Sequence, residues 1–186
     1  MSKGKLFVIS GASGVGKSTV LKRVMEIRPE LRFSVSATTR APRPGEVDGE
    51  SYYFVTKEQF EQMIARNEFL EYDAHMSNYY GTPVAQMEEK LAKGCAVLDV
   101  EPNGAFTVRK ERPDAVLTFI APPSMEELER RLRGRNDTTE EQIQDRLKRA
   151  VWEMTQRHKY DYIVINDQVD TCAEEILKII ADHCGE

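Results

Sequence analysis

The chain has 186 residues, 40% hydrophobic and 31% charged, the balance of a soluble globular protein with room for one core. Its net charge of −5 argues against a general nucleic-acid binder, and no apolar run reaches the length of a membrane span or forms a signal-peptide core. Cys95, Cys172 and Cys184 are odd in number and lack metal spacing, so reduced cytoplasmic thiols are expected.

The first element is a strand over Lys5-Leu6-Phe7-Val8-Ile9-Ser10, short, apolar and bounded by glycine. A helix follows, with Val20, Val24 and Ile27 at helical spacing until Pro29 stops it. A second strand is expected from Arg32 to Ala37, then a Pro- and Arg-rich loop, Thr38-Thr39-Arg40-Ala41-Pro42-Arg43-Pro44-Gly45. From Ser51 to Tyr80 the rhythm breaks. Tyr52-Tyr53-Phe54-Val55 and Phe69-Leu70-Glu71-Tyr72 read as strands, and between them Thr56 with Gln59 forms a capping box for a helix carrying Phe60, Met63 and Ile64. This stretch predicts a small inserted lobe projecting over the first loop.

Thr82 is then expected as an N-cap with Pro83 at the first helical position, Val84, Met87 and Leu91 on one face, and Gly94 as the stop. Ala96-Val97-Leu98-Asp99 and Val116-Leu117-Thr118-Phe119-Ile120 read as strands. Ser124 with Glu127 caps a helix through Leu132, and Thr139 with Gln142 caps another to about Arg157. Between them, Gly134-Arg135-Asn136-Asp137-Thr138 is polar and expected to be mobile. Tyr162-Ile163-Val164-Ile165 is a final strand, and Thr171 with Glu174 opens a last helix that buries Ala173, Ile176, Leu177 and Ile180. Strands alternating with helices in this way make an α/β fold built on a parallel sheet.

The chemistry starts at Gly11-Ala12-Ser13-Gly14-Val15-Gly16-Lys17-Ser18, which fits the phosphate-loop pattern G-x-x-x-x-G-K-[ST] between a strand and a helix. Backbone N–H groups of such a loop turn inward around phosphate oxygens, and the helix start adds its positive dipole end. Lys17 would reach the outer phosphates and the Ser18 hydroxyl would ligate Mg²⁺. Asp99, a carboxylate ending an apolar strand, is placed to serve the same ion, unless it merely marks a strand edge. Arg131, Arg135, Arg146 and Arg149 flank the polar loop, where guanidinium forks suit a lid that neutralises a transferring phosphoryl group and excludes water. Arg130 and Arg133 can instead pair with glutamates on their own helix. Arg40 and Arg43, with the phenols of Tyr52 and Tyr80, suit a monophosphate dianion. Glu71 and Glu101, with the hydroxyls of Ser36 and Thr82, suit a guanine, whose N1–H and N2–H₂ are adjacent donors; adenine offers an acceptor at N1.

Several stretches together carry a family resemblance. Ser34 through Glu46, Gly49-Glu50-Ser51-Tyr52-Tyr53-Phe54-Val55, Glu68-Phe69-Leu70-Glu71 and Asn78-Tyr79-Tyr80-Gly81-Thr82 resemble the guanylate kinase signature. So do Leu98-Asp99-Val100-Glu101, Ala121-Pro122-Pro123-Ser124, Arg131-Leu132-Arg133-Gly134-Arg135 and Ile165-Asn166-Asp167, in order over nearly the whole chain. The resemblance implies a single domain in three parts: a phosphate-loop core (1–33, 83–125 and 158–186), a GMP-binding lobe (34–82), and a helical lid with its flanking helices (126–157). The implied reaction is ATP + GMP giving ADP + GDP with Mg²⁺ as cofactor, in the cytoplasm, with no nucleic-acid or membrane partner and with oligomeric state undecided. It implies ATP binding by Gly11 through Ser18, Thr19, Arg131 and Asn166, and GMP binding by Ser36, Arg40, Arg43, Tyr52, Glu71, Tyr80, Thr82, Asp99 and Glu101. Lys17, Arg43, Arg135 and Arg146 would be catalytic, with Ser18 and Asp99 at the metal, partly through water.

The chain departs from the family where an Asp-x-Asp strand end continues into Gln-Gly: here it reads Asp99-Val100-Glu101-Pro102-Asn103-Gly104. The readings set against a GMP kinase are a protein-binding domain of the same family without catalysis, a kinase for another nucleoside monophosphate, and a GTPase. The intact Gly16-Lys17-Ser18, the acidic pair and the lack of a base-reading strand motif weigh against them in turn.

Overall fold

A computed structural model describes residues 4–75, 77–134 and 139–184. Its core sheet contains β1 (Leu6–Gly11), β2 (Arg32–Phe33), β7 (Ala96–Asp99), β8 (Val116–Ala121) and β9 (Tyr162–Ile165), in the order β2-β7-β1-β8-β9 and all parallel. Every residue of β1 and β8 is buried, which is why these strands read as continuous apolar runs without alternation. The register sets Ile9 beside Asp99 and Gly11 beside Ile120, so the loop leaving β1 emerges next to the carboxylate that ends β7. Parallel sheets bind their ligands at this carboxyl edge.

The second sheet, β4-β3-β6-β5, consists of β3 (Ala37–Thr38), β4 (Tyr53–Phe54), β5 (Phe69–His75) and β6 (Asn78–Pro83). It is anchored by α2 (Lys57–Ala65), whose Phe60 is fully buried and stacks on Phe69 at 4.3 Å and Tyr79 at 5.2 Å between ring centroids. Burying that one ring stabilises the lobe by about 2–3 kcal/mol. Thr56 and Gln59 cap α2 reciprocally, and Thr139 and Gln142 do the same for α6 (Glu140–Gln156), as their spacing predicts. Ser124 accepts from the backbone N–H of Glu127 at the head of α5 (Met125–Arg133).

The structure departs from the sequence reading at several points. The strand expected from Arg32 to Ala37 is two strands in different sheets: Arg32–Phe33 pairs with Ala96 and Val97, and Ala37 has crossed to Tyr53 and Gly81. Thr82 does not cap α3 (Val84–Ala92), because β6 runs on through Pro83, which is itself the N-cap. A helix that the sequence hid, α4 (Pro102–Glu111), starts directly after β7 and touches both β1 and β5, joining the two sheets. Its opening Pro-Asn-Gly looks like a turn, yet proline fits the first helical turn, whose N–H groups have no partner inside the helix. Finally, α7 (Val169–Cys184) starts before Thr171, and its last residue forms a disulfide with Cys95. Two of the three cysteines are therefore not free thiols. Their sequence separation of 89 conceals a meeting that arises only because α7 returns to the foot of β7. Cys172 is free and buried, and burial pushes its thiol up to about 12.

Among the described residues no helix is long and apolar enough to cross a membrane.

Candidate active site

The loop between β1 and α1 (Lys17–Ile27) is held from three sides. Its first turn closes by Val15 N–H donating to Ala12 O at 3.0 Å. Gly16 is the helix N-cap with φ of 91°, a left-handed conformation that a side chain would strain. Asn166, just past β9, donates its side-chain amide to Val15 O at 2.8 Å, while its backbone carbonyl accepts from Arg131 at 2.8 Å. Arg131 and Asn166, expected together at the ATP, are thus adjacent beside the loop. Ser18 and Thr19 lie exposed in the first turn of α1.

Lys17 projects from the helix start to the end of β7. Its ammonium forms a short ion pair with Asp99 and lies 3.5 Å from Glu101 and 3.3 Å from Val100 O. Burial by itself would lower the Lys17 pKa, but Asp99 and Glu101 more than offset this, so it is raised and the group stays charged. Glu101 continues to Arg149 of α6, at 3.3 Å.

Lys17, Asp99, Glu101 and Arg149 form one end of a pocket of about 280 Å³; Ser36, Tyr52, Glu71, Asp73 and Tyr80 form the other. The antiparallel register of β5 and β6 builds that second end by setting Glu71 opposite Thr82 and Asp73 opposite Tyr80. Glu71 is buried and accepts the Thr82 hydroxyl at 2.6 Å. Burial raises its pKa, and the Thr82 donation only partly counters this. Gly104 on α4 makes the close approach feasible: a Cβ there would stand 2.9 Å from Glu71 Oε2. Tyr52 and Tyr80 meet edge to face at 6.1 Å, and burial raises the Tyr52 pKa, keeping its phenol a neutral donor.

Among the described residues, the remaining candidates stand apart from the pocket lining. Thr82 is behind Glu71. Arg40 lies over the Tyr52 ring at 5.4 Å, with its guanidinium on Glu46 at 2.8 Å and on Ala41 O at 2.7 Å. Arg43 is exposed in its loop, where its backbone N–H donates to Glu46. Arg146 is half-buried on α6. Arg135, with the polar loop at 135–138, lies outside the described residues. Sequence reasoning missed Asp73, although it lies two residues beyond Glu71 on the same strand face. It also missed Glu153, a fully buried carboxylate on α6 that takes the Ser13 N–H at 2.6 Å.

For a divalent cation the fit is good. Ser18 and Asp99 offer hard oxygen donors. That suits Mg²⁺, which keeps water and substrate phosphates in its shell.

The guanylate kinase family model matches residues 3–183. The guanylate kinase of Rubrobacter xylanophilus is 46% identical over 97% of this chain and 95% of its own, and that of Thermus thermophilus is 47% identical over 96% and 81%. The crystal structure of guanylate kinase from Anaplasma phagocytophilum superposes with a TM-score of 0.78 at 34% identity, covering 100% of this chain and 88% of that one. The chain belongs to the guanylate kinase family.

Proposed function

We propose that this protein transfers the γ-phosphoryl group of ATP to GMP, yielding ADP and GDP. The observation that carries the reading is a single pocket with the phosphate-loop lysine at one end and, at the other, a buried glutamate that pairs with no cation among the described residues. ATP phosphates bind the N–H groups of the Gly11–Ser18 loop, flanked by Thr19, and Arg131 and Asn166 lie toward the adenine. The GMP phosphate is taken by Arg40, Arg43, Tyr52 and Tyr80. Ser36, Thr82 and Glu71 receive the guanine, Glu71 accepting from N1–H and N2–H₂, while Glu101, expected there too, stands at the lysine end of the pocket.

An oxygen of the GMP phosphate attacks the γ-phosphorus and the bridging oxygen leaves with ADP. Lys17 follows the charge from donor to product, and Arg43, Arg135 and Arg146 donate to the equatorial oxygens. Ser18 and Asp99 would hold Mg²⁺, which would supply neutralisation of the phosphate charge when bound. Residues 34–82 act as the acceptor lobe and 126–157 as lid and flanking helices over the remaining core. A cytoplasmic location follows from the substrates and not from the cysteines.

The test is ADP release with GMP, AMP, CMP and UMP offered separately. GMP should exceed AMP by at least about a hundredfold in kcat/KM, the discrimination expected of a site that hydrogen-bonds the base. Equal use of GMP and AMP, or use of neither, would overturn the reading.

A further inference from the structure

Arg149 and Glu153 form an i,i+4 pair on α6, a spacing that ordinarily marks a solvated helix face and contributes little. Here the acidic partner is fully buried. An ionised carboxylate out of water costs several kcal/mol unless its lone pairs are satisfied, and an apolar side chain would fill the position at less expense. What Glu153 does with its two oxygens accounts for its presence. Oε2 accepts the backbone N–H of Ser13, inside the phosphate loop, at 2.6 Å. Oε1 accepts Nε–H of Arg149 at 2.9 Å. One rigid group thus sets the distance between the loop that holds the donor phosphates and an arginine that borders the pocket.

The arginine's remaining geometry fits that task. With Nε committed to Glu153, the guanidinium plane is fixed, and Nη2 reaches Glu101 Oε2 at 3.3 Å. Glu101 in turn lies 3.5 Å from Lys17. Arg149 therefore holds a fork of charged N–H donors beside the lysine, at the end of the pocket opposite Glu71. Such a fork can exchange a carboxylate oxygen for a phosphoryl oxygen without any proton moving.

We propose that Glu153 is a positioning residue for phosphoryl transfer, locking the phosphate loop to α6 and aiming Arg149 at the phosphoryl group as it passes between nucleotides. This rests on the reading of the pocket as a GMP kinase site. Arg149 is the catalytic partner, and Glu153 acts only through it and through Ser13.

The test uses the full chain as Glu153→Gln, Arg149→Ala and the double variant, with kcat and KM measured for ATP and GMP. Gln keeps an oxygen for the Ser13 N–H but turns an amide N–H₂ toward Arg149, so the fold is retained and the aim is lost. Glu153→Gln and Arg149→Ala should each lower kcat about 10- to 100-fold, with both KM values within about threefold, and the double variant should be no slower than the slower single one. Losses that multiply in the double variant, or a fall in melting temperature with kcat kept, would overturn the proposal.

A second readout is independent of turnover. In ¹⁵N NMR spectra Arg149 Nε–H should shift in Glu153→Gln, and in Glu153→Ala if that variant folds, the Ser13 amide should shift as well. Unmoved resonances would also sink the proposal. Wild type failing on GMP would defeat the kinase reading, whereas wild type active and Glu153→Gln equally fast would defeat this inference alone.

Discussion

Two buried glutamates, Glu71 in the lobe and Glu153 under the phosphate loop, do opposite things with the same functional group. Burial raises the pKa of both. Glu153 has both oxygens occupied, one by a backbone N–H and one by a guanidinium, and is closed to any ligand. Glu71 takes its donors from Thr82 alone, the hydroxyl at 2.6 Å and the backbone N–H, has no cation among the described residues, and has a place in the pocket wall. Its unused lone pairs are what a guanine edge can satisfy. Buried polar groups want their full set of hydrogen bonds. In the proposed function the carboxylate that lacks a cationic partner and opens on the pocket reads the substrate, and the one held by a guanidinium fixes the machinery.

The widest gap between the two ends should come from Lys17→Ala. Removing the ammonium leaves Asp99 without its ion-pair partner and Glu101 held by Arg149 alone. We expect kcat to fall about a thousandfold while the melting temperature changes little, checked by coupled ADP release and thermal unfolding. Near-normal turnover would remove the loop from the mechanism and erase the donor half of the comparison. Glu71→Ala comes next: KM for GMP should rise about a hundredfold and KM for ATP less than threefold. Equal shifts in both would mean that Glu71 is not an acceptor-side group.

The donor end was legible in the sequence because a phosphate loop is local. Eight consecutive residues specify its shape, and the strand before and helix after it are readable from hydrophobicity alone. The acceptor end was legible only through family resemblance, since Ser36, Tyr52, Glu71 and Tyr80 come from separate short strands whose pairing no local pattern encodes. The strand over residues 32–37 was misjudged for the same reason: the alternation does not show where a chain leaves one sheet for another. Helix α4 was hidden by its turn-like start, and with it the contact of Gly104 with Glu71. Glu153 was invisible because its helix face carries charges at 146, 149 and 153, and a charged stripe reads as solvent-facing. The Cys95–Cys184 link depends on tertiary return and left no trace in spacing.

Gly104→Ala sharpens the comparison from the backbone side. The added methyl would meet Glu71 Oε2 at 2.9 Å and Val100 Cβ at 3.3 Å, so the carboxylate must shift from Thr82 or from the pocket. Alanine favours the helix, which works against any loss of stability. We expect KM for GMP to rise about tenfold, with kcat/KM for ATP at saturating GMP nearly unchanged. An equal loss on the ATP side would show that α4 transmits the strain through β1, and Glu71 would no longer be separable from the donor end.

The smallest effect, and the one that addresses the physical premise directly, is the pH dependence of stability in Glu71→Gln. A carboxyl whose folded pKa lies above its unfolded value binds its proton more tightly in the native state. Its stabilising contribution is therefore complete below the ordinary glutamate value of 4.5 and is lost as pH rises through the raised folded value. Above that window the native protein carries a buried charge that glutamine would not. Glu71→Gln should therefore unfold at a higher temperature than wild type at about pH 8, by about 1 kcal/mol or roughly 2–4 °C, and the difference should close toward about pH 4. Glu153 is shifted in the same direction in both proteins and cancels from the comparison. The same substitution should raise KM for GMP, because the unsatisfied charge that weakens the fold is the group that recognises the base. A variant that is less stable than wild type at every pH would mean that Glu71 is fully satisfied within the protein, as Glu153 is, and has nothing left to offer a ligand.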